Sequence, residues 1–227
     1  MGLQWPRLSK KLRSGVLTRM VELRDLPALS LSASMVGFAA MDVEWRLLAI
    51  GAREVLMRSL LWPSDRSAGA RRGGTMSEQT VSNVIHSLGA MGAVAEDFPP
   101  SQLARLFELI GSIDPFSTHG LSNVIYGLAK MRITWQQLPS RTVSNLKRNL
   151  LSSSFQSSQQ ALSNVLWGLG QMEVAWTSPE REAEAAKIAL EVKGKLYELL
   201  SQQAVSMADQ GLSNSLLGLA KVPCYCT

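Results

Sequence analysis

Apolar residues recur with a helical period along much of the chain. In residues 121–131 the apolar side chains are at positions one, four, five, eight and eleven: Leu121, Val124, Ile125, Leu128 and Met131. Side chains at these spacings share one face of a helix with 3.6 residues per turn. The segment is therefore predicted to be an amphipathic α-helix with one buried face.

Similar strings occur at 81–91, 162–172 and 212–222, and a weaker copy precedes them at 31–41. The four strong copies share a Ser-Asn pair, and the asparagines are Asn83, Asn123, Asn164 and Asn214. With Ala33 in the asparagine place of the weak copy, successive copies are 50, 40, 41 and 50 residues apart. Self-similarity at a fixed period is the signature of a repeat architecture.

The stretches between the strings are predicted to form a second helix in each unit. These stretches are 43–61, 100–110, 139–151 and 179–200. Three of them begin at or beside a proline, which the first turn of a helix tolerates. One pair of helices cannot bury both of its faces, so neighbouring pairs must stack. The prediction is an all-α fold, an α-solenoid of about four to five helix-turn-helix repeats of roughly 40 residues.

Charge divides the chain unevenly, because residues 1–75 carry a net charge of +6 and residues 76–227 a net charge of −1. A basic, serine-bearing start without an acid before Glu22 is typical of an organellar transit peptide. The alternatives are a solvated basic end and an internal fragment. The predicted segments are 1–24 (basic N-terminal segment), 25–63 (degenerate first repeat), 64–76 (flexible basic loop) and 77–227 (repeat array with an incomplete last repeat).

A second stripe of side chains recurs opposite the core face of each first helix, at spacings of four, three and four residues. Its members are Gln79, Asn83, His86 and Ala90; His119, Asn123, Tyr126 and Lys130; Gln160, Asn164, Trp167 and Gln171; and Gln210, Asn214, Leu217 and Lys221. Stacked units should align these stripes on one wall of a superhelix, normally the concave one. Amides can pair with base edges and rings can stack between bases. Apart from Ala90 and Leu217, the stripe residues are therefore predicted to bind single-stranded RNA.

Two other roles for these residues stay open. The Ser-Asn pairs can form a hydrogen-bond ladder between neighbouring units without any ligand. Tyr126 and Trp167 can pack between units, since large aromatic side chains are more often buried than displayed. Three glycines, with Ser87 in the same place of the unit before them, are predicted to let helices approach closely: Gly127, Gly168 and Gly218.

The string from Gln160 to Met172, Gln-x-Leu-Ser-Asn-Val-Leu-Trp-Gly-Leu-Gly-Gln-Met, resembles the first helix of octotricopeptide repeats. It is also similar to heptatricopeptide units and to the helical part of FAST-kinase-like proteins. The resemblance covers about residues 28–222. It implies an α-solenoid of mitochondria or chloroplasts that binds RNA through the stripe residues and acts in RNA processing, stability or translation. Other proteins of an organellar ribonucleoprotein are its further implied partners. Two departures are Ala33 in the asparagine place and the lack of a RAP domain after Lys221.

Catalysis, metals, cofactors and small-molecule substrates are not predicted. The sequence has two histidines, no cluster with metal-ligand spacing, no phosphate loop and no nucleophile elbow. Cys224 and Cys226 would supply at most two ligands. The longest uncharged apolar stretch, 26–41, is shorter than a membrane span, so a soluble protein is expected.

Charge favours a rival function. Affinity for RNA depends on neutralising phosphates, yet residues 76–227 are close to neutral. Five basic residues would have to gather on one side: Lys130, Arg132, Lys147, Arg148 and Lys221. The alternative is a protein-binding α-solenoid scaffold, for example a subunit of an organellar ribosome or of another large complex. The unfinished last unit also favours this alternative.

Overall fold

The computed structural model describes residues 4–62, 76–152, 155, 158–174 and 183–221. Within these ranges the chain forms ten α-helices and five short 3-10 segments, with no strand. The helices are α1 (Lys10–Leu23), α2 (Ala28–Ala40), α3 (Ile50–Leu61), α4 (Glu78–Ala90), α5 (Pro100–Ser112), α6 (Thr118–Lys130), α7 (Ser140–Leu151), α8 (Gln159–Gln171), α9 (Ala183–Gln203) and α10 (Asp209–Lys221). The all-α prediction is confirmed for this part of the chain.

The helices pack in two rows. In the first-helix row, α2, α4, α6, α8 and α10 contact one another in chain order. In the second-helix row, α1, α3, α5, α7 and α9 do the same. Contacts of α2 with α3, α6 with α7 and α8 with α9 join the two rows. Each helix of the first-helix row carries one copy of the repeated string. The copies in the sequence therefore correspond to helices that pack against one another in the same way.

The hydrophobic core runs along the contacts between these helices. All five apolar residues of the 121–131 pattern are buried, with at most 1% of their surface exposed. Full burial of an aliphatic side chain of this size stabilises a fold by about 1.5–3 kcal/mol. The helical period of the apolar residues therefore identified the core face of α6 correctly.

Residue types at the helix ends also repeat. α4, α6 and α8 begin after a serine whose Oγ accepts a hydrogen bond from a backbone N–H three residues further on, and these serines are Ser77, Ser117 and Ser158. Such a cap satisfies one of the free donors of the first turn. The first helices of four units are followed by a residue with φ between 54° and 71°, and these residues are Asp42, Gly92, Arg132 and Glu173. Only the glycine adopts this left-handed conformation without a steric cost.

A 3-10 segment precedes four helices of the second-helix row and ties each unit to the next. Its first residue donates its backbone N–H to a methionine carbonyl just after the next first helix, at 2.8–3.0 Å. The pairs are Trp5 with Met41, Trp45 with Met91, Ala95 with Met131 and Trp135 with Met172. The predicted helix at 43–61 therefore begins only at Ile50, because Trp45–Leu47 form one of these segments.

Residues 4–23 have the arrangement of a second half-unit. The backbone N–H of Trp5 makes the same type of hydrogen bond as the other 3-10 segments, to Met41. Its indole packs edge-on against Phe38, with 5.5 Å between ring centroids, and α1 packs against α3. A targeting role for this segment stays a prediction. The predicted loop at 64–76 lies outside the described residues except for Met76, as do Cys224, Cys226 and the first four residues of the predicted helix at 179–200.

Glycines set the distance between neighbouring helices of the first-helix row. A Cβ placed on Gly127 would lie 2.5 Å from the carbonyl oxygen of Ile85, and one on Gly218 would lie 2.2 Å from that of Leu166. A Cβ on Gly168 would lie 2.7 Å from Cγ2 of Ile125. These separations are shorter than any real Cβ contact, so the prediction that the glycines permit close helix approach is confirmed.

We expect Gly127→Ala to lower the free energy of unfolding by about 1–3 kcal/mol, because the new methyl group would meet a backbone carbonyl that cannot move without shifting α4. Urea denaturation followed by circular dichroism measures the change. Gly194→Ala in α9 is the matched control, since a Cβ there meets nothing within 4 Å. It should raise stability by about 0.5–1 kcal/mol through helix propensity. Equal effects at the two positions would contradict the close-approach argument.

The left-handed turns give a second expectation. Arg132→Gly should raise the free energy of unfolding by about 0.5–1 kcal/mol, because φ is 59° there and the glycine removes the Cβ penalty. Gly92→Ala, at the equivalent turn, should lower it by about 1 kcal/mol. The same urea titrations compare both variants with the parent chain, and a loss of stability in Arg132→Gly would be the contrary result.

Candidate nucleic-acid interface

All sixteen predicted stripe positions lie on four helices of the first-helix row, α4, α6, α8 and α10. The residues at the first stripe position are exposed, and these are Gln79, His119, Gln160 and Gln210. At the last position Ala90, Lys130 and Lys221 are exposed and Gln171 is half-buried. None of the sixteen residues is acidic, and four are lysines or histidines. The stripe is therefore a surface without negative side chains.

Three rings from consecutive units form a ring stack, which we define as His86, Tyr126 and Trp167. The centroids of His86 and Tyr126 are 5.5 Å apart with ring planes 24° from parallel. Those of Tyr126 and Trp167 are 4.9 Å apart at 39°. All three side chains are half-buried, so each ring packs against its neighbours and still presents part of its surface to solvent. Packing between units and display on the surface are thus combined in one feature.

A cation lies over this stack. Nζ of Lys130 is 5.6 Å from the ring centroid of Tyr126 and 5.3 Å from that of Trp167. An ammonium group within about 6 Å of an aromatic centroid is attracted to the face of the ring. The two rings therefore hold the charge of Lys130 close to the stack, while the residue as a whole remains exposed.

The ring spacing limits how a nucleic acid can bind. A base that inserted between two rings would hold them about 7 Å apart, which is twice the roughly 3.4 Å axial spacing of successive nucleotides in one strand of a duplex. The centroid separations of 5.5 and 4.9 Å leave no such gap. In this conformation bases do not alternate with the rings of the stack, which differs from the stacking between bases that the sequence suggested. Bases can reach only the exposed parts of the rings.

The asparagines make different hydrogen bonds in different units. Nδ2 of Asn83 donates to Oγ of Ser32 at 3.1 Å, which is a contact between units. Asn123 and Asn164 instead bond within their own helices, to stripe residues four positions earlier. Nδ2 of Asn123 is 3.1 Å from Nε2 of His119, and Nε2 of Gln160 donates to Oδ1 of Asn164 at 2.9 Å. Of these three stripe asparagines, Asn83 is the one whose hydrogen bond described here joins two units.

The pKa of His86 is lowered by its surroundings in the stripe. Burial lowers the pKa of His86 from its ordinary value of 6.5, and the charge of His119 lowers it further. His86 is therefore neutral near pH 7, as a ring in an aromatic stack should be. Protonating it would place a cation inside the stack.

The predicted basic residues do not all gather on one side. Lys130 and Lys221 belong to the stripe, and Nζ of Lys221 donates to Oε1 of Gln171 in the preceding unit at 2.8 Å. Lys147 and Arg148 lie on α7 in the second-helix row. The guanidinium of Arg148 is 2.9 Å from the carboxylate of Asp114, and burial lowers the pKa of Lys147. The stripe thus obtains its lysine charge from its own residues and not from α7.

The stripe extends into α2, a helix outside the site predicted from the sequence. The equivalent residues there are Leu29, Ala33, Val36 and Ala40, and all four are exposed. Leu29 and Val36 expose 82% and 45% of their surfaces. The signal was present in the sequence, because these residues have the same spacing as the polar stripes, but their apolar character concealed it.

Within the described ranges, no three His, Cys, Asp or Glu side chains group so that they could hold a metal ion. No helix there combines the length and apolar character needed to cross a bilayer. Comparison of the chain with protein-family models, curated proteins and solved structures finds no match.

The half-buried imidazole of His86 predicts a pH dependence of stability. Because the pKa of His86 is lower in the folded chain than in the unfolded one, the unfolded chain binds more protons as the pH falls through 6.5. The free energy of unfolding should therefore decrease on acidification between about pH 7.5 and about pH 5.5, where histidine is the side chain that ordinarily titrates. Urea titrations at several pH values measure the slope. His86→Gln should flatten it, and an unchanged slope in that variant would contradict the assignment.

Proposed function

We propose that the chain binds single-stranded RNA along the stripe, as an α-solenoid of four to five repeats that acts in organellar RNA processing, stability or translation. The observation that carries the proposal is the ring stack with Lys130 over it, on a surface that has no acidic residue. A single strand offers bases, which pack on aromatic surfaces, and phosphates, which attract cations. The resemblance of residues 160–172 to octotricopeptide repeats supports the organellar context.

The closed ring stack favours a particular path for the strand. In the proposed mode, phosphates lie along the last stripe position, where Lys130 and Lys221 are exposed. Bases lie towards the first position, where each unit exposes one glutamine or histidine. Those side chains carry donors and acceptors that match the edges of bases. One residue in each unit is therefore proposed to contact the edge of a base, and these residues are Gln79, His119, Gln160 and Gln210.

The asparagines have a supporting role in this mode. Gln160 and His119 each share a hydrogen bond with the asparagine one turn later, which restricts their rotamers. A restricted side chain loses less conformational entropy when it binds. In this mode the asparagines orient the exposed residues of the third and fourth units.

A protein-binding scaffold is the second candidate, and the apolar stripe of α2 favours it. Leu29, at 82% exposure, is typical of a surface that receives a protein ligand. Binding data separate the two candidates directly, since a scaffold of this kind has no salt-dependent affinity for RNA. The exposed amides and lysines of the later units fit RNA better than they fit an apolar ligand.

The role of Lys130 can be tested by filter binding of single-stranded RNA over a series of salt concentrations. Lys130→Gln should weaken binding and reduce the slope of log K against log salt by about 0.7, the value for one phosphate contact on a single strand. Arg141→Gln removes one positive charge from an exposed place on α7, in the second-helix row, and should leave the slope unchanged. Absence of salt-dependent binding by the parent chain at low ionic strength would overturn the proposed function.

A further inference from the structure

The close helix contact that joins consecutive units has two parts. One part is the glycine of the later helix, and the other is the residue of the earlier helix whose backbone meets it. For Gly127, Gly168 and Gly218 those residues are Ile85, Ile125 and Leu166, which are all buried. The same two positions recur in α2 and α10, at the ends of the first-helix row.

α2 has the glycine without a helix against it. Gly37 lies four residues after Ala33, just as Gly127 lies four residues after Asn123. A Cβ placed on Gly37 meets nothing within 4 Å. The described residues therefore leave free on α2 the surface that α6, α8 and α10 use to receive the preceding helix.

α10 has the other part of the contact, the residue that meets the glycine of a following helix, without such a helix against it among the described residues. Leu216 stands in the place of Ile85, Ile125 and Leu166, yet it exposes 56% of its surface. Ser213 is exposed as well, whereas the serines in its place in the three preceding units are buried. α10 thus presents to solvent the face on which each earlier first helix receives its successor.

Within the described residues, α1, at the start of the second-helix row, lacks a first helix of its own unit to pack against. Each of α2, α6 and α8 contacts both the second helix of its own unit and the next first helix. α1 instead lines an open cavity of about 640 Å³ together with Leu26 and with Ser34 of α2, and Leu12 and Val16 are among its lining residues on α1. Leu12 exposes 51% of its surface and Val16 38%. The cavity lies where a first helix would contact both α1 and α2.

We propose that a second copy of this chain docks head to tail, with α10 of one copy packed against α1 and α2 of the other. The contact would reproduce the one that α8 makes with α10, and α10 and the second copy's α1 would together form one complete unit. Val36 and Leu217, exposed at 45% and 48% at the two ends of the stripe, would meet as apolar neighbours. Each docking leaves a free head and a free tail, so association continues beyond the dimer.

Sedimentation equilibrium of the full 227-residue chain, without nucleic acid, tests this proposal. The average mass should rise with concentration beyond that of a dimer. Gly37→Gln blocks the head, because its side chain would fill the space needed for close approach. Leu216→Glu blocks the tail by placing a charge in an apolar contact. Each variant alone should be monomeric. An equimolar mixture should form a dimer that grows no further, because the ends left over are the blocked head of one variant and the blocked tail of the other.

The mixture distinguishes head-to-tail docking from any symmetric contact. Val205→Glu, at a position that is 99% exposed outside the proposed contact, is the control and should associate like the parent chain. Circular dichroism verifies that every variant is folded. A parent chain that stays monomeric at all concentrations, variants that still associate alone, or a mixture that fails to dimerise would each overturn the proposal. None of these results bears on RNA binding, which is measured separately.

Discussion

Close contact between the helices of the first-helix row is the constraint on which the rest of the structure depends. At Gly127 and Gly218 a neighbouring backbone carbonyl lies where a Cβ would otherwise be, and at Gly168 the side chain of Ile125 does. Glycine costs a helix interior about 0.5–1 kcal/mol relative to alanine. The approach that it permits brings the apolar faces of α4, α6, α8 and α10 into contact, and burial of those faces supplies far more stabilisation than the glycines cost.

The close spacing of the first helices also determines how the rings of the stripe are arranged. Because the helix backbones are so close, rings at one stripe position come within 4.9 to 5.5 Å of each other and form a continuous stack. A wider spacing would have left room for bases between the rings. The close spacing instead produces a continuous aromatic surface, with Lys130 held over it by two rings. Packing between units and the proposed binding surface are therefore consequences of one distance.

The segments that connect the two helices of each unit are joined by different interactions. The 3-10 segments donate a backbone hydrogen bond to the next unit at four successive steps, independently of side-chain identity. Tryptophan begins three of these segments and alanine the fourth. Side chains here are free to vary without loss of the ladder, whereas the glycine position of the first-helix row accepts only small residues.

The sequence by itself determined the all-α class, the presence of the helices from α2 onward and the core face of α6. These features follow from local patterns: the helical period of apolar residues, the recurrence of Ser-Asn strings, and prolines at helix starts. The sequence also indicated the glycine contacts and the stripe, because residues at equivalent places of stacked units must face the same neighbours.

Only the tertiary structure decided which stripe residues touch each other. The ring stack, the position of Lys130 over it and the different bonds of Asn83, Asn123 and Asn164 depend on distances of a few ångströms between units. The packing of residues 4–23 as a half-unit likewise has no counterpart in the repeated strings. A period in a sequence specifies which residues are equivalent, but the separation between equivalent residues arises only from how closely the backbones pack.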